Sequence, residues 1–277
     1  MAAEQIAENL AFINWTVLTG LAVGSLWAAV LGRLGTQATK GYLGFVALSA
    51  TVLGVLAALT DGALPVATTL ELTPDPAWDL ARRAALWIVV VLSLAYAVAV
   101  LRGRRAPAIG IAGVSAGAAV LVAAALSWGG SLGGQALLLV QLAVLAAATG
   151  GVWAAMILGH WYLVTPRLPE APLVRFARIL GFVVAGQLGL FAIWTATGAG
   201  PGGQPAFGAL VGSWALFVWL RLIVGLAMPL VVTWAALQTA KTRSMESATG
   251  LLYIDVGLIA AGTILAAGLY FGAGLLV

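Results

Sequence analysis

An all-α, polytopic integral membrane bundle of about eight transmembrane helices is the fold class this sequence predicts, and three observations predict it. Of its 277 residues, 62% are hydrophobic and 8% charged, against about 45–50% and about 25% in ordinary soluble domains. The mean hydropathy is +1.08. Eight stretches are long and apolar enough to cross a hydrocarbon core about 30 Å thick, which takes roughly 20 helical residues. With 13 Lys and Arg, 9 Asp and Glu and one His, a soluble globule of this length lacks the charge to cover its surface. The composition therefore excludes a cytosolic enzyme, a nucleic-acid-binding module and a disordered chain.

The spans are expected over about residues 10–32, 42–60, 82–101, 107–128, 136–164, 176–197, 207–237 and 248–276. Runs apolar on every face make helices, since they lack the ten-residue alternation of a barrel strand. The fifth, seventh and eighth exceed the core thickness and have to tilt, kink or project into water. One domain, residues 1–277, accounts for the chain.

Orientation is read from the connections. Alternate ones carry Arg33 and Lys40; Arg102, Arg104 and Arg105; Arg167, Arg175 and Arg178; and Lys241 and Arg243. These ten of the thirteen bases collect at one end of the spans. The opposite end holds Glu4, Glu8, Asp61, Glu71, Asp75 and Asp79, with only Arg82 and Arg83 as bases. Positive charge accumulates on the cytoplasmic side. The expectation is a multi-pass protein of the cell inner (plasma) membrane, with both termini and a loop at about 60–82 extracytoplasmic. The net charge of +4 is sorted into loops, so it is no nucleic-acid footprint. Residues 1–8 lack the basic start of a secretory signal, and the first span is expected to be retained. Residues 73–78, Thr-Pro-Asp-Pro-Ala-Trp, supply turn residues and an interfacial tryptophan. Residues 79–83 read as a short amphipathic helix on the membrane surface.

Cysteine is absent, which removes disulfides, thiolate metal sites and iron–sulfur ligation. Among 35 glycines, the Gly20/Gly24 and Gly113/Gly117 pairs have the small-xxx-small spacing that lets helix backbones approach closely. Trp15, Trp78, Trp128 and Trp194 are expected as outer belt residues, and Trp161 and Trp234 as inner ones. Trp87, Trp153 and Trp219 fall deeper and are expected to face protein.

Three ionisable side chains fall inside spans: Arg221, Asp255 and His160. A charge at a helix centre costs ~2.5–3.5 kcal/mol on insertion scales, so each needs a partner, a watery cavity or a neutral form. His160 precedes Arg167 by seven residues, about 10 Å of helix. Asp255 follows Glu246 by nine, about 13 Å. Both therefore fall in the cytoplasmic half. Arg221 lies about 30 Å from Lys241 by the same rise, nearer the outer leaflet, and a pair with Asp255 depends on Pro229 bending the seventh span.

Residues 159–169, Gly-His-Trp-Tyr-Leu-Val-Thr-Pro-Arg-Leu-Pro, are the most chemically loaded stretch. The imidazole of His160, the indole of Trp161 and the phenol of Tyr162 are groups that hydrogen-bond a quinone carbonyl and exchange its protons. Tyr253 and Asp255 share their depth on the last helix, with Asp255 placed to relay protons from a hollow common to His160. The alternative role for His160 and Tyr162 is anchoring at the interface. One histidine cannot supply the paired axial ligands of a four-helix cytochrome b, which leaves His160 as a single candidate haem ligand. No carboxylate–histidine cluster has metal-ligand spacing, and no hydrolytic nucleophile set can be assembled. Gln141 and Gln187 are expected to bond across helices.

Residues 15–25, Trp-Thr-Val-Leu-Thr-Gly-Leu-Ala-Val-Gly-Ser, are faintly similar to the opening helix of polysulfide-reductase-type quinone-binding anchors, which also use eight helices without haem. The likeness covers one span, consists mostly of small and apolar residues, and assigns no family.

The first functional expectation is a membrane subunit of a respiratory or other electron-transfer complex. It carries a quinone site in its cytoplasmic half, takes electrons from a redox partner subunit and is at most quinone-reactive itself. The second is a transporter or channel for a small solute or proton, with Arg221 and Asp255 on its pathway. The third is a scaffold for cofactor- or pigment-bearing partners.

Overall fold

Long apolar runs punctuated by Gly, Pro and charged turns give helices throughout. The computed structural model describes residues 2–65, 74–165 and 167–277, and every regular element among them is helical. Glu71 and Thr73 lie outside the described residues. A short α1 (Ala2–Glu8) precedes α2 (Leu10–Gly35), α3 (Lys40–Gly62), α4 (Asp79–Leu101), α5 (Pro107–Trp128), α6 (Leu132–Val164) and α7 (Ala171–Thr197). Then come α8 (Ala215–Leu222), α9 (Met228–Lys241) and α10 (Met245–Ala273). Taking α8 and α9 as one span, eight helices among the described residues are long and apolar enough to cross a membrane.

The bundle is built around α2, which packs on α3, α5, α6 and α10. Its tightest partner is α6. A Cβ on Gly24 would fall 1.8 Å from the Ala146 carbonyl oxygen, and one on Gly150 would fall 2.0 Å from the Gly24 carbonyl carbon. The Gly20/Gly24 spacing thus does what small residues do in lipid, letting two backbones touch. Helices α3, α4 and α5 follow one another on one flank, and α7, α9 and α10 form the other. Ile6 of α1 packs beside Gly268 of α10, so the two ends of the chain share one end of the bundle.

Three expectations change. Residues 79–83 are the opening of the spanning helix α4, entered through a 3₁₀ turn at Pro76–Trp78, and make no separate surface helix. Arg82 points into the bundle and ties that turn to α3. The seventh span starts at Ala215, where residue 207 was expected, and is not uniform: a π-helical segment, Ile223–Ala227, joins α8 to α9. Pro229 has no N–H to give the carbonyl four residues earlier, and that Gly225 oxygen accepts from Arg221 Nη1 at 3.1 Å.

The tryptophans also differ from expectation. Trp15, Trp128 and Trp194 are buried, whereas Trp87 and Trp219 are exposed on the outer face. Trp15 and Trp128 meet edge to face with centroids 4.7 Å apart, because both pack around a buried ion pair described below.

Candidate functional site

Two groups of polar side chains lie buried in the seam between α7, α10 and the broken α8–α9 span. In the first, Asp255 of α10 is fully buried and its Oδ2 accepts a 2.5 Å hydrogen bond from Thr233 Oγ1 of α9. Its Oδ1 has no hydrogen-bond partner among the described residues. Gly181 of α7 lies beside the Thr233 methyl, which brings the third helix to the same point.

The second group centres on Arg221 of α8, which is also buried. Its Nη2 donates to Gln187 Oε1 of α7 at 2.7 Å, its Nη1 to the Gly225 carbonyl, and its Nε to the Val277 main-chain oxygen at 3.4 Å. Gln187 passes its amide on to the Val144 carbonyl of α6 at 3.0 Å. The guanidinium has room because the α8–α9 span and α10 touch through Gly225 and Gly262. A Cβ on either would fall 2.6 Å from the Cα of the other.

Among the described residues no ion pair joins Arg221 to Asp255. Gly262, which flanks the guanidinium, is seven residues beyond Asp255 on α10, about 10 Å along the axis. The two charged groups therefore occupy successive levels of one seam. Expected apart in depth, they are brought into line by packing without being paired.

The aromatic stretch on α6 splits around its helix. His160 is exposed on the outer surface, where the Tyr253 phenol oxygen of α10 comes within 3.4 Å of its Nδ1. Trp161 lies against Gly41 of α3. Tyr162 is buried and donates a 2.5 Å hydrogen bond to the Pro169 carbonyl. It lines a cavity of about 470 Å³ with Leu168, Arg243 and Glu246. Side chains two apart on an α-helix diverge by about 200°, so His160 and Tyr162 point opposite ways, as do Tyr253 and Asp255. The hollow expected to be common to His160 and Asp255 does not form: one is on the perimeter and the other inside. His160 and Tyr253 are brought together, and Asp255 is paired with Thr233 instead.

A third cluster was read from the sequence only as loop charge. Asp61 at the end of α3 is buried and accepts from Arg82 Nε at 2.7 Å and from Trp15 Nε1 at 2.9 Å. Arg82 Nη1 also donates to Asp79 at 2.7 Å and to Ser127 Oγ at 2.8 Å. The guanidinium lies 4.5 Å from the Trp128 ring centroid. Arg83 reaches Asp61 Oδ1 at 3.4 Å from the exposed side. The available signal was the placing of two arginines at the otherwise acidic end. A base there answers a specific acid and does not report orientation.

His160, the one histidine, is committed to the perimeter, and a haem held there would have a single protein ligand. Among the described residues no group of three or more His, Asp or Glu is gathered to hold a metal ion. Compared with known families, curated proteins and solved structures, the chain matches no family model, no curated protein and no solved structure.

Proposed function

We propose that this is a multi-pass protein of the cell inner membrane that moves protons, or a small solute with protons, along the α7/α9/α10 seam. The basic end faces the cytoplasm. The observation that carries this reading is Asp255, a fully buried carboxyl with one oxygen held by Thr233 and the other without a partner. Ionisable groups at such depth are expensive to insert and are retained for function. Thr233 holds Oδ2 and leaves Oδ1 as the oxygen available to a proton. A proton taken on Oδ1 from water on one side is returned to water on the other, leaving the carboxyl unchanged after a cycle. Arg221 places a guanidinium about 10 Å further along the seam, held by Gln187, Gly225 and Val277. The π segment beside it interrupts the regular helix at the level where the seam has to open, as such segments do at functional sites.

Vesicles reconstituted with the protein and loaded with a pH-sensitive dye test this. Wild type is expected to dissipate an imposed pH gradient, alone or with a solute present. Asp255→Asn, which keeps the shape and the Thr233 contact, is expected to slow the flux at least about tenfold, the effect of removing a positioned proton-transfer group. Flux in Asp255→Asn equal to wild type overturns the reading.

A second reading is favoured by the His160–Tyr253 approach of 3.4 Å on the outer face of α6 and α10. An imidazole and a phenol side by side, open to the surrounding phase, suit the two-electron, two-proton chemistry of a quinone arriving from the bilayer. On that reading the protein is the quinone-reactive membrane subunit of an electron-transfer complex, and a redox partner subunit supplies the electrons. Organic extraction of the purified native assembly is expected to yield a quinone, with quinone-linked turnover falling at least about tenfold in His160→Ala. Absence of quinone, with turnover unchanged in His160→Ala, rejects it.

A further inference from the structure

Towards the basic end, α5 and α7 stand apart and leave a crevice of about 460 Å³ floored by α2 and α6. That is within the size of small-molecule sites, about 300–1,000 Å³. Its walls are Trp27, Leu31 and Leu34 of α2, Val114 of α5, and Ile179 and Val183 of α7. Gly24 and Gly151 give it depth, and no charged side chain lines it. The one indole N–H in the wall is used internally, Trp27 Nε1 donating to the Val114 carbonyl at 3.2 Å.

The crevice runs along α2 from Gly24 to Leu34, ten residue steps or about 15 Å. Half of a hydrocarbon core about 30 Å thick is the same length, so the crevice has the depth of one leaflet. Chemistry changes abruptly at its mouth. Arg175 sits one turn before Ile179 on the same face of α7, and its Nη1 donates to the Gly35 carbonyl at the end of α2. With Gly35, Thr36, Gln37 and Pro172 it lines a separate polar depression of about 270 Å³. Arg178 on α7 and Arg104 and Arg105 ahead of α5 are exposed at the same end. An apolar slot one leaflet deep, opening under a guanidinium, matches a molecule with an acyl chain and a phosphate.

We infer that the crevice is a binding site for an anionic phospholipid, with one acyl chain lying between α5 and α7 and the phosphate on Arg175. A bidentate phosphate contact suits the planar guanidinium, and the neighbouring arginines favour an anionic headgroup over a zwitterionic one. The bound chain fills the space where α5 and α7 fail to meet and so stabilises the folded bundle by mass action.

The test uses full-length protein in detergent, read by native mass spectrometry and thermal unfolding with phosphatidylglycerol or phosphatidylcholine added. Wild type is expected to retain one phosphatidylglycerol and to gain a few degrees in Tm, with phosphatidylcholine binding at least fivefold weaker. A Cβ on Gly151 meets only Leu180 Cδ1, at 3.7 Å, and Gly151 lines the slot, so Gly151→Leu is the variant that fills it. It is expected to lose both the bound lipid and the lipid-dependent Tm shift. Should Gly151→Leu fail to fold, Arg175→Gln decides from the surface: it is expected to abolish the preference for phosphatidylglycerol. Lipid retention and Tm shift unchanged in Gly151→Leu, an unchanged preference in Arg175→Gln, or an isoprenoid quinone retained in place of phospholipid each overturn the inference. None of these readouts depends on proton flux or quinone turnover.

Discussion

Arg82→Met is expected to cost about 3–5 kcal/mol of stability, the scale for removing one partner of a buried pair. Asp61 keeps its burial but loses the guanidinium at 2.7 Å, retaining only Trp15 Nε1 and the longer contact to Arg83. Asp79 and Ser127 lose the same donor, and Trp128 loses a cation 4.5 Å from its ring, an interaction worth about 2 kcal/mol or more when desolvated. One side chain thus releases α3, α4 and α5 from one another at the acidic end. The double variant Arg82→Met with Asp61→Leu leaves no buried carboxylate uncompensated, Asp79 being half-exposed, and is expected to regain most of the loss, since apolar groups of similar volume often replace a buried pair at little cost. Thermal unfolding of the three proteins in one detergent measures this. A single-variant loss under about 1 kcal/mol, the worth of an exposed pair, would show that water reaches the cluster.

Gly24→Ala is the second large effect, although it adds one methyl group. The new Cβ would lie 1.8 Å from the Ala146 oxygen and 2.7 Å from its carbonyl carbon, so the neighbour that has to move is backbone. Overpacking a tight site commonly costs about 1–3 kcal/mol and occasionally more; here α2 and α6 have to separate along the centre of the bundle. Loss of monodisperse protein on size-exclusion chromatography is the expected outcome, with Gly150→Ala behaving alike. Gly186→Ala and Gly189→Ala supply the contrast, because a Cβ at either meets nothing within 4 Å. Both are expected to fall within about ±0.5 kcal/mol of wild type. Equal yields from Gly24→Ala and Gly186→Ala would remove the α2–α6 contact as the centre of the fold.

The candidate seam was half legible beforehand. Arg221 and Asp255 stand out in any reading, because a charge within an apolar run has few explanations. Their partners stood out less. Gln187 was expected to bond across helices but not to Arg221, and Thr233 is an ordinary polar residue until α9 turns it towards the carboxyl. The π segment has no sequence marker beyond Pro229. His160 and Asp255 have similar depths in the sequence and opposite surroundings in the fold.

Run length and charge placement by themselves determined that the chain is a membrane-type bundle, how many of its helices are long and apolar enough to cross, and which end is basic. A hydrocarbon slab asks only for enough apolar residues and for bases outside it. Tertiary structure alone decided what faces what. Helices α5, α6 and α10 are apolar all round and carry no hydrophobic stripe to fix their rotation. Whether a side chain points inward or outward, at about 100° per residue, was settled by where glycines let two backbones meet: Gly24 on Gly150, and Gly225 on Gly262.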